Sequence, residues 1–121
     1  MKPYRNKKIG EYLRGGSVAC CITGQVYAIV NHHLIGNGYS GMGTKAPDYL
    51  QCALTHELHS ELHNRGHKAF EIKYGHTQKS MVAQTMAKLH ADGVIDLNQI
   101  DIDEKTMNWL TEEMELLAYE K

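Results

Sequence analysis

Five histidines at short spacings are the residues of this 121-residue chain most able to do chemistry. His59 and His63 stand four apart in Leu58-His59-Ser60-Glu61-Leu62-His63, and His32 and His33 are adjacent upstream. Residues four apart on a helix share a face, offset by only about 40° around the axis. Two imidazoles placed so can point at one metal ion. A cation held by two or three imidazoles keeps positions open for water and a phosphate oxygen. The adjacent pair can divide the labour, one histidine ligating and the other taking a proton from water, because imidazole titrates near neutral pH. The layout suggests a metal-dependent phosphodiesterase. His56, one turn before His59, could also ligate but fits better at the helix start or behind the ligands. His67, His76 and His90 have no partner at ligand spacing and are expected to face solvent.

The zinc-peptidase pattern is excluded. His-Glu-x-x-His sets the glutamate beside the first histidine, whereas here Glu61 falls two residues after His59. On a helix Glu57 and Glu61 face away from the histidines, and Leu58 and Leu62 form a neighbouring apolar stripe.

The elements that must position these residues follow from period and punctuation. Residues 1–16 read as a basic flexible arm ending in Gly15-Gly16. Ser17–Cys21 and Gln25–Leu34 read as strands around an Ile22-Thr23-Gly24 turn. Gly36, Gly38, Gly41 and Gly43 make a loop that reaches Pro47, because so many glycines oppose regular structure. Tyr49–Leu54 reads as a short strand or an extended entry to the next helix. Thr55 is placed to cap a helix that runs to Arg65, with Glu57 in its first turn and Gly66 to stop it. A helix over His67–Tyr74 ends at Gly75. Thr77 caps another over Gln78–Ala91, with Met81, Val82, Met86 and Leu89 as its apolar stripe. Asp92-Gly93 ends it. A last helix starts at Asp101 or Asp103, striped by Met107, Leu110, Met114 and Leu117. The class is α+β: strands and a loop, then a helical half.

The length is that of one domain, here taken as residues 17–121 behind the arm. Hydrophobic residues at 42% and charged residues at 22% are ordinary for a globular protein. No apolar run is long enough for a membrane span, and no apolar stretch behind Met1-Lys2-Pro3-Tyr4-Arg5 suggests a signal peptide. Three cysteines, two of them adjacent, make no disulfide framework, so a reducing cytoplasm is the expected compartment. Charge is segregated. Lys2, Arg5, Lys7, Lys8 and Arg14 face only Glu11 in residues 1–14, whereas residues 95–121 carry eight acids against Lys105 and Lys121. The basic start allows phosphate contacts, though the overall balance is not that of a strong stand-alone nucleic-acid binder. The acidic last helix reads as a solvated face.

Four blocks in order carry a resemblance: Cys20-Cys21-Ile22-Thr23-Gly24, Asn31-His32-His33-Leu34-Ile35-Gly36, Gly41-Met42-Gly43-Thr44-Lys45-Ala46-Pro47-Asp48, and Leu54 through His63. Together they resemble the HNH (ββα-metal, His-Me finger) nucleases. More narrowly they resemble the phage recombination-enhancement group of RecA-dependent DNA nucleases, which Ala69-Phe70-Glu71-Ile72-Lys73-Tyr74-Gly75 also matches. The similarity runs from about Ser17 to Gln84. It implies a ββα-metal core with additional C-terminal helices. By this resemblance His33 is the general base, His32, His59 and His63 are the metal ligands, and Asp48 orients the base or braces its loop. Lys45 is a phosphate contact or a solvated loop lysine. The implied cofactor is a divalent metal, magnesium or zinc; the implied partners are DNA and a RecA filament, in a bacterial host carrying a phage or prophage. The chain departs from relatives that bind a structural zinc through two Cys-x-x-Cys pairs: Gly24, Thr55 and Leu58 stand at three of those positions. A rebuilt zinc site would draw on Cys21, Cys52 and His56, with Cys20 nearby; otherwise the cysteines are core residues. The expected activity is DNA endonuclease. The alternative is a non-catalytic zinc-stabilised module that binds DNA or protein.

Overall fold

A computed structural model describes residues 3–40 and 43–119. Lys2, Gly41, Met42 and Glu120, which the sequence argument uses, lie outside the described residues, as do Met1 and Lys121. Helix α1 (Lys7–Arg14) leads to strand β1 (Ile29–His33) and, after a long loop, strand β2 (Gln51–Thr55). Helices α2 (His56–Arg65), α3 (His67–Tyr74), α4 (Gln78–Ala91) and α5 (Glu104–Tyr119) follow. The chain is α+β, with one two-stranded antiparallel sheet and five α-helices among the described residues. None of these helices is long and apolar enough to cross a membrane.

β1 pairs with β2 so that His32 lies opposite Cys52 and His33 opposite Gln51. The Leu34 N–H donates to the Leu50 carbonyl at 2.9 Å and closes the base of the loop between them. β2 runs directly into α2. The Thr55 hydroxyl accepts from the Leu58 N–H at 3.2 Å, so one residue ends the strand and caps the helix. Gly66, at φ +91°, then turns the chain from α2 into α3. Leu58 and Leu62 of α2 are buried, as are Met81, Val82, Met86 and Leu89 of α4 and Leu110 of α5. α4 packs across β2 on one side and α5 on the other.

The structure departs from the expected outline in three places. Where a flexible arm is expected, Lys7–Arg14 is a helix, capped by the Asn6 side chain accepting from the Lys8 N–H at 3.1 Å. Ile9 and Leu13, four apart, are fully buried and α1 packs on β1. Burying each such side chain is worth about 1.5–3 kcal/mol, which holds the segment down despite its charge.

Ser17–Cys21 is not a strand. The segment reaches β2 through one backbone bond, Cys21 N–H to the Ala53 carbonyl at 3.0 Å, then turns, with the Gly24 N–H donating to the Cys20 carbonyl. The second strand starts at Ile29 rather than Gln25, because Ala28 sits at φ +56° and breaks the extended run.

Candidate metal centre and adjoining base

His32, His59 and His63 come together. One ring nitrogen from each lies within 4.8 Å of the other two. The His59 and His63 Nε2 atoms are 3.1 Å apart. Two nitrogens bound to one tetrahedral zinc at about 2.0–2.1 Å would stand roughly 3.3 Å apart, so the helix already sets this pair at ligand separation. His32 arrives from β1, fully buried, and His59 is half-buried while His63 is exposed. The cluster therefore grades from core to solvent, as a site with open positions must.

Electrostatics favour the neutral form of His32 and His59. Burial pushes the His32 imidazole down to about 4, with Gln78's hydrogen bond opposing and the neighbouring imidazoles adding to the depression. Burial also lowers His59, helped by His63 and His56. Lowered values mean neutral rings with a free lone pair at pH 7. The group contains no carboxylate. Three imidazoles suit zinc, nickel or cobalt better than magnesium, which prefers oxygen ligands.

His33 does not join this group. Successive strand residues point to opposite faces, and His33 instead meets Asp48, with its Nε2 at 2.8 Å from Oδ1. Asp48 is buried and gathers two further donors: Arg5 Nη1 on Oδ1 at 3.1 Å and the Asn6 N–H on Oδ2 at 2.7 Å. A carboxylate only accepts, so His33 Nε2 carries a proton, and in the neutral ring Nδ1 is the nitrogen with the lone pair. That is the tautomer a base needs.

Arg5 also donates to the Ala46 and Lys45 carbonyls, at 2.6 and 2.9 Å, and so clamps the loop that carries Asp48. Behind it runs a polar chain on the same sheet face. Arg14 donates to Asn31, Asn31 to Gln51, and Gln51 to the Asp48 carbonyl.

The other candidates fall elsewhere. Lys45 is exposed on the clamped loop, its carbonyl held by Arg5. Cys21, Cys52 and His56 are not brought to metal-binding distance of one another. Cys21 and Cys52 are buried against each other, with the Cys21 sulfur 3.3 Å from the Thr85 hydroxyl, whereas His56 is exposed at the start of α2. The cysteines are core residues because α4 covers them. Among the described residues the histidine trio is the sole group of three or more such side chains at metal-binding distance. His67 and His76 differ from expectation in being half-buried, the His67 ring against Gly36, where an added Cβ would lie 3.0 Å from its Nε2; His90 is exposed as expected, its Nδ1 accepting from the Leu97 N–H at 3.1 Å.

Two contributors carry no local signal in the sequence. Arg5 sits 43 positions from Asp48, inside a charged segment that reads as solvated. Gln78 bonds His32 from 46 positions away, and nothing local marks it beyond the Thr77 cap before it.

No solved structure matches the chain. A protein described as "Uncharacterized protein YdfU", from Escherichia coli strain K12, is 37% identical over 89 residues. The match covers 74% of this chain but 24% of that relative, so the chain spans about a quarter of the relative's length. A family model described as "Protein of unknown function (DUF968)" matches residues 2–93, which include Arg5, His32, His33, Asp48, His59, His63 and Gln78. The chain belongs to the DUF968 family.

Proposed function

We propose that the chain is a metal-dependent DNA endonuclease built on a ββα-metal core of the HNH kind, formed by β1, β2 and α2. The observation that carries this reading is the pairing of two constellations on adjacent residues: His32 in a three-imidazole cluster, and His33 held by a buried carboxylate at 2.8 Å. DNA as substrate rests on the resemblance of these blocks to the HNH nucleases. So do a role in phage-borne recombination and direction by a RecA filament.

His32, His59 and His63 would hold a divalent cation. When bound, it supplies Lewis-acid stabilisation of the charge that develops on phosphate. The chain's own residues do the rest. Asp48 holds the His33 Nε2–H and leaves Nδ1 to take a proton from the attacking water. The water oxygen bonds to phosphorus, the bond to the leaving oxygen breaks, and that oxygen takes up a proton. Arg5 fixes Asp48 and its loop, which keeps the base in one orientation. Lys45, exposed on that loop, is placed for a phosphate.

One observation favours a second reading. Strand alternation sends His32 and His33 to opposite faces, so the trio can serve as a structural zinc site in a non-catalytic module. His33→Ala separates the two. The assay is cleavage of plasmid and single-stranded DNA with magnesium, manganese, zinc or EDTA, with and without a RecA filament, beside metal binding. The nuclease reading expects cleavage to fall by about 10²-fold or more while metal affinity stays unchanged. Equal cleavage by His33→Ala removes the proposed base. Zinc binding with no cleavage by the parent under any condition selects the module.

A further inference from the structure

We propose that Gln78 is the positioning residue of the histidine trio: it locks His32 as the Nε2–H tautomer, so that Nδ1 is the nitrogen offered to a cation. The proposal rests on the metal reading of the trio and names the residue that prepares its buried ligand.

An amide side chain can present its oxygen or its nitrogen at nearly the same place, and only its partners decide which. Here they decide it. The Ile35 N–H, which can only donate, points at Gln78 Oε1 at 3.0 Å. The Ile35 carbonyl, which can only accept, faces Gln78 Nε2 at 2.9 Å. The amide is thereby fixed with Oε1 as acceptor. His32 Nε2 lies 2.9 Å from that same Oε1. Between an acceptor oxygen and a ring nitrogen, only a ring N–H can make the bond. A neutral imidazole carries one such proton, so Nδ1 is left with the lone pair.

Both side chains are essentially inaccessible to water, His32 at 1% and Gln78 at 0%. No solvent exchange blurs the assignment. A buried amide without partners would cost about 1–3 kcal/mol, and Gln78 escapes that cost by engaging both ends on Ile35. Gln78 is itself anchored, because its backbone N–H donates to Glu71 Oε2 at 2.7 Å. The first residue of α4 thus ties the segment just after β1 to the ligand on β1. A ligating histidine commonly gives its second N–H to a fixed acceptor, which sets ring orientation and basicity.

The test uses the full chain with Gln78→Met, which keeps bulk and removes the acceptor, and Gln78→Glu, which restores an acceptor. Long-range ¹H–¹⁵N NMR of the metal-free parent reports the His32 tautomer. Cobalt(II) titration, followed by its visible spectrum, reports affinity and ligand geometry. Expected are Nε2–H at His32 in the parent, an affinity loss of about 10–100-fold in Gln78→Met, and recovery in Gln78→Glu. Nδ1–H at His32, or Gln78→Met binding cobalt within threefold of the parent, overturns the proposal. If Gln78→Met does not fold, the parent's tautomer and the Gln78→Glu titration decide. A parent that binds no cobalt while showing Nε2–H refutes the metal reading and leaves Gln78's hold on His32 established.

Discussion

Replacing Asp48 by asparagine is the sharpest perturbation of the proposed base. The carboxylate receives three donors: His33 Nε2 at 2.8 Å, the Asn6 N–H at 2.7 Å and Arg5 Nη1 at 3.1 Å. The first two are partly buried bonds to a charged group, worth about 1.5–3 kcal/mol each. The Arg5 pair is open to solvent on the guanidinium side and adds only about 0–1 kcal/mol. An amide keeps one acceptor oxygen and turns an NH₂ on at least one donor. Close to half of the total is lost, so stability should fall by about 2–3 kcal/mol. If the NH₂ faces His33, the ring must reverse its tautomer, and Nδ1 gains the proton it should be ready to take. Cleavage should then drop by about 10²–10⁴-fold, the share a positioned base contributes. Urea denaturation and single-turnover cleavage measure the two effects on one sample. A variant that loses stability but cleaves within threefold of the parent would reduce Asp48 to a strut. A variant with unchanged stability would refute the hydrogen-bond argument itself.

Two further outcomes follow from the cluster and its loop. The His32 imidazole falls from its ordinary 6.5 to about 4 on folding, so the unfolded chain binds more protons between those values. Its contribution is complete above pH 6.5 and is lost as the pH falls toward 4. With chelator present, stability should decline by on the order of 3 kcal/mol across that window, in addition to other groups. A His32→Gln variant with the same slope would disprove the assignment. Gly36→Ala should destabilise the chain by about 1–3 kcal/mol, because alanine resists φ +73° and its Cβ would press on the His67 ring at 3.0 Å. A thermal melt that does not shift would show that His67 gives way.

What the sequence discloses divides by range. The helices from α2 to α4 were legible because their signals are adjacent in the chain. Thr55 and Gly66 bracket α2, Gly75 ends α3, and Thr77 caps α4. The convergence of His59 and His63 is likewise a four-residue fact. α1 was hidden because its apolar pair, Ile9 and Leu13, is outnumbered by charge, and burial on β1 is decided by residues far along the chain. The strand expected at Ser17–Cys21 failed for the converse reason. Its composition suits a strand, but β2 offers it one backbone bond there rather than a ladder. The residues that orient the two histidines are the least legible, since Arg5 and Gln78 act across more than 40 positions.

That division has a mechanistic consequence. Each of the adjacent histidines has its free nitrogen chosen by an acceptor on a distant element. Asp48 on the clamped loop selects it for His33, and Gln78 at the start of α4 selects it for His32. In the neutral rings both acceptors leave Nδ1 with the lone pair, although the proposed mechanism has one ring take a proton and the other hold a cation. The difference in role cannot come from tautomer and must come from surroundings. His32 is sealed among two further imidazoles with no carboxylate in the group, while His33 lies beside an anion at a partly open edge. Exchanging the acceptors' chemistry is therefore the informative comparison. Gln78→Glu places a charge behind the ligand and Asp48→Asn removes one from behind the base. The first should leave cleavage dependent on His33, whereas the second should not.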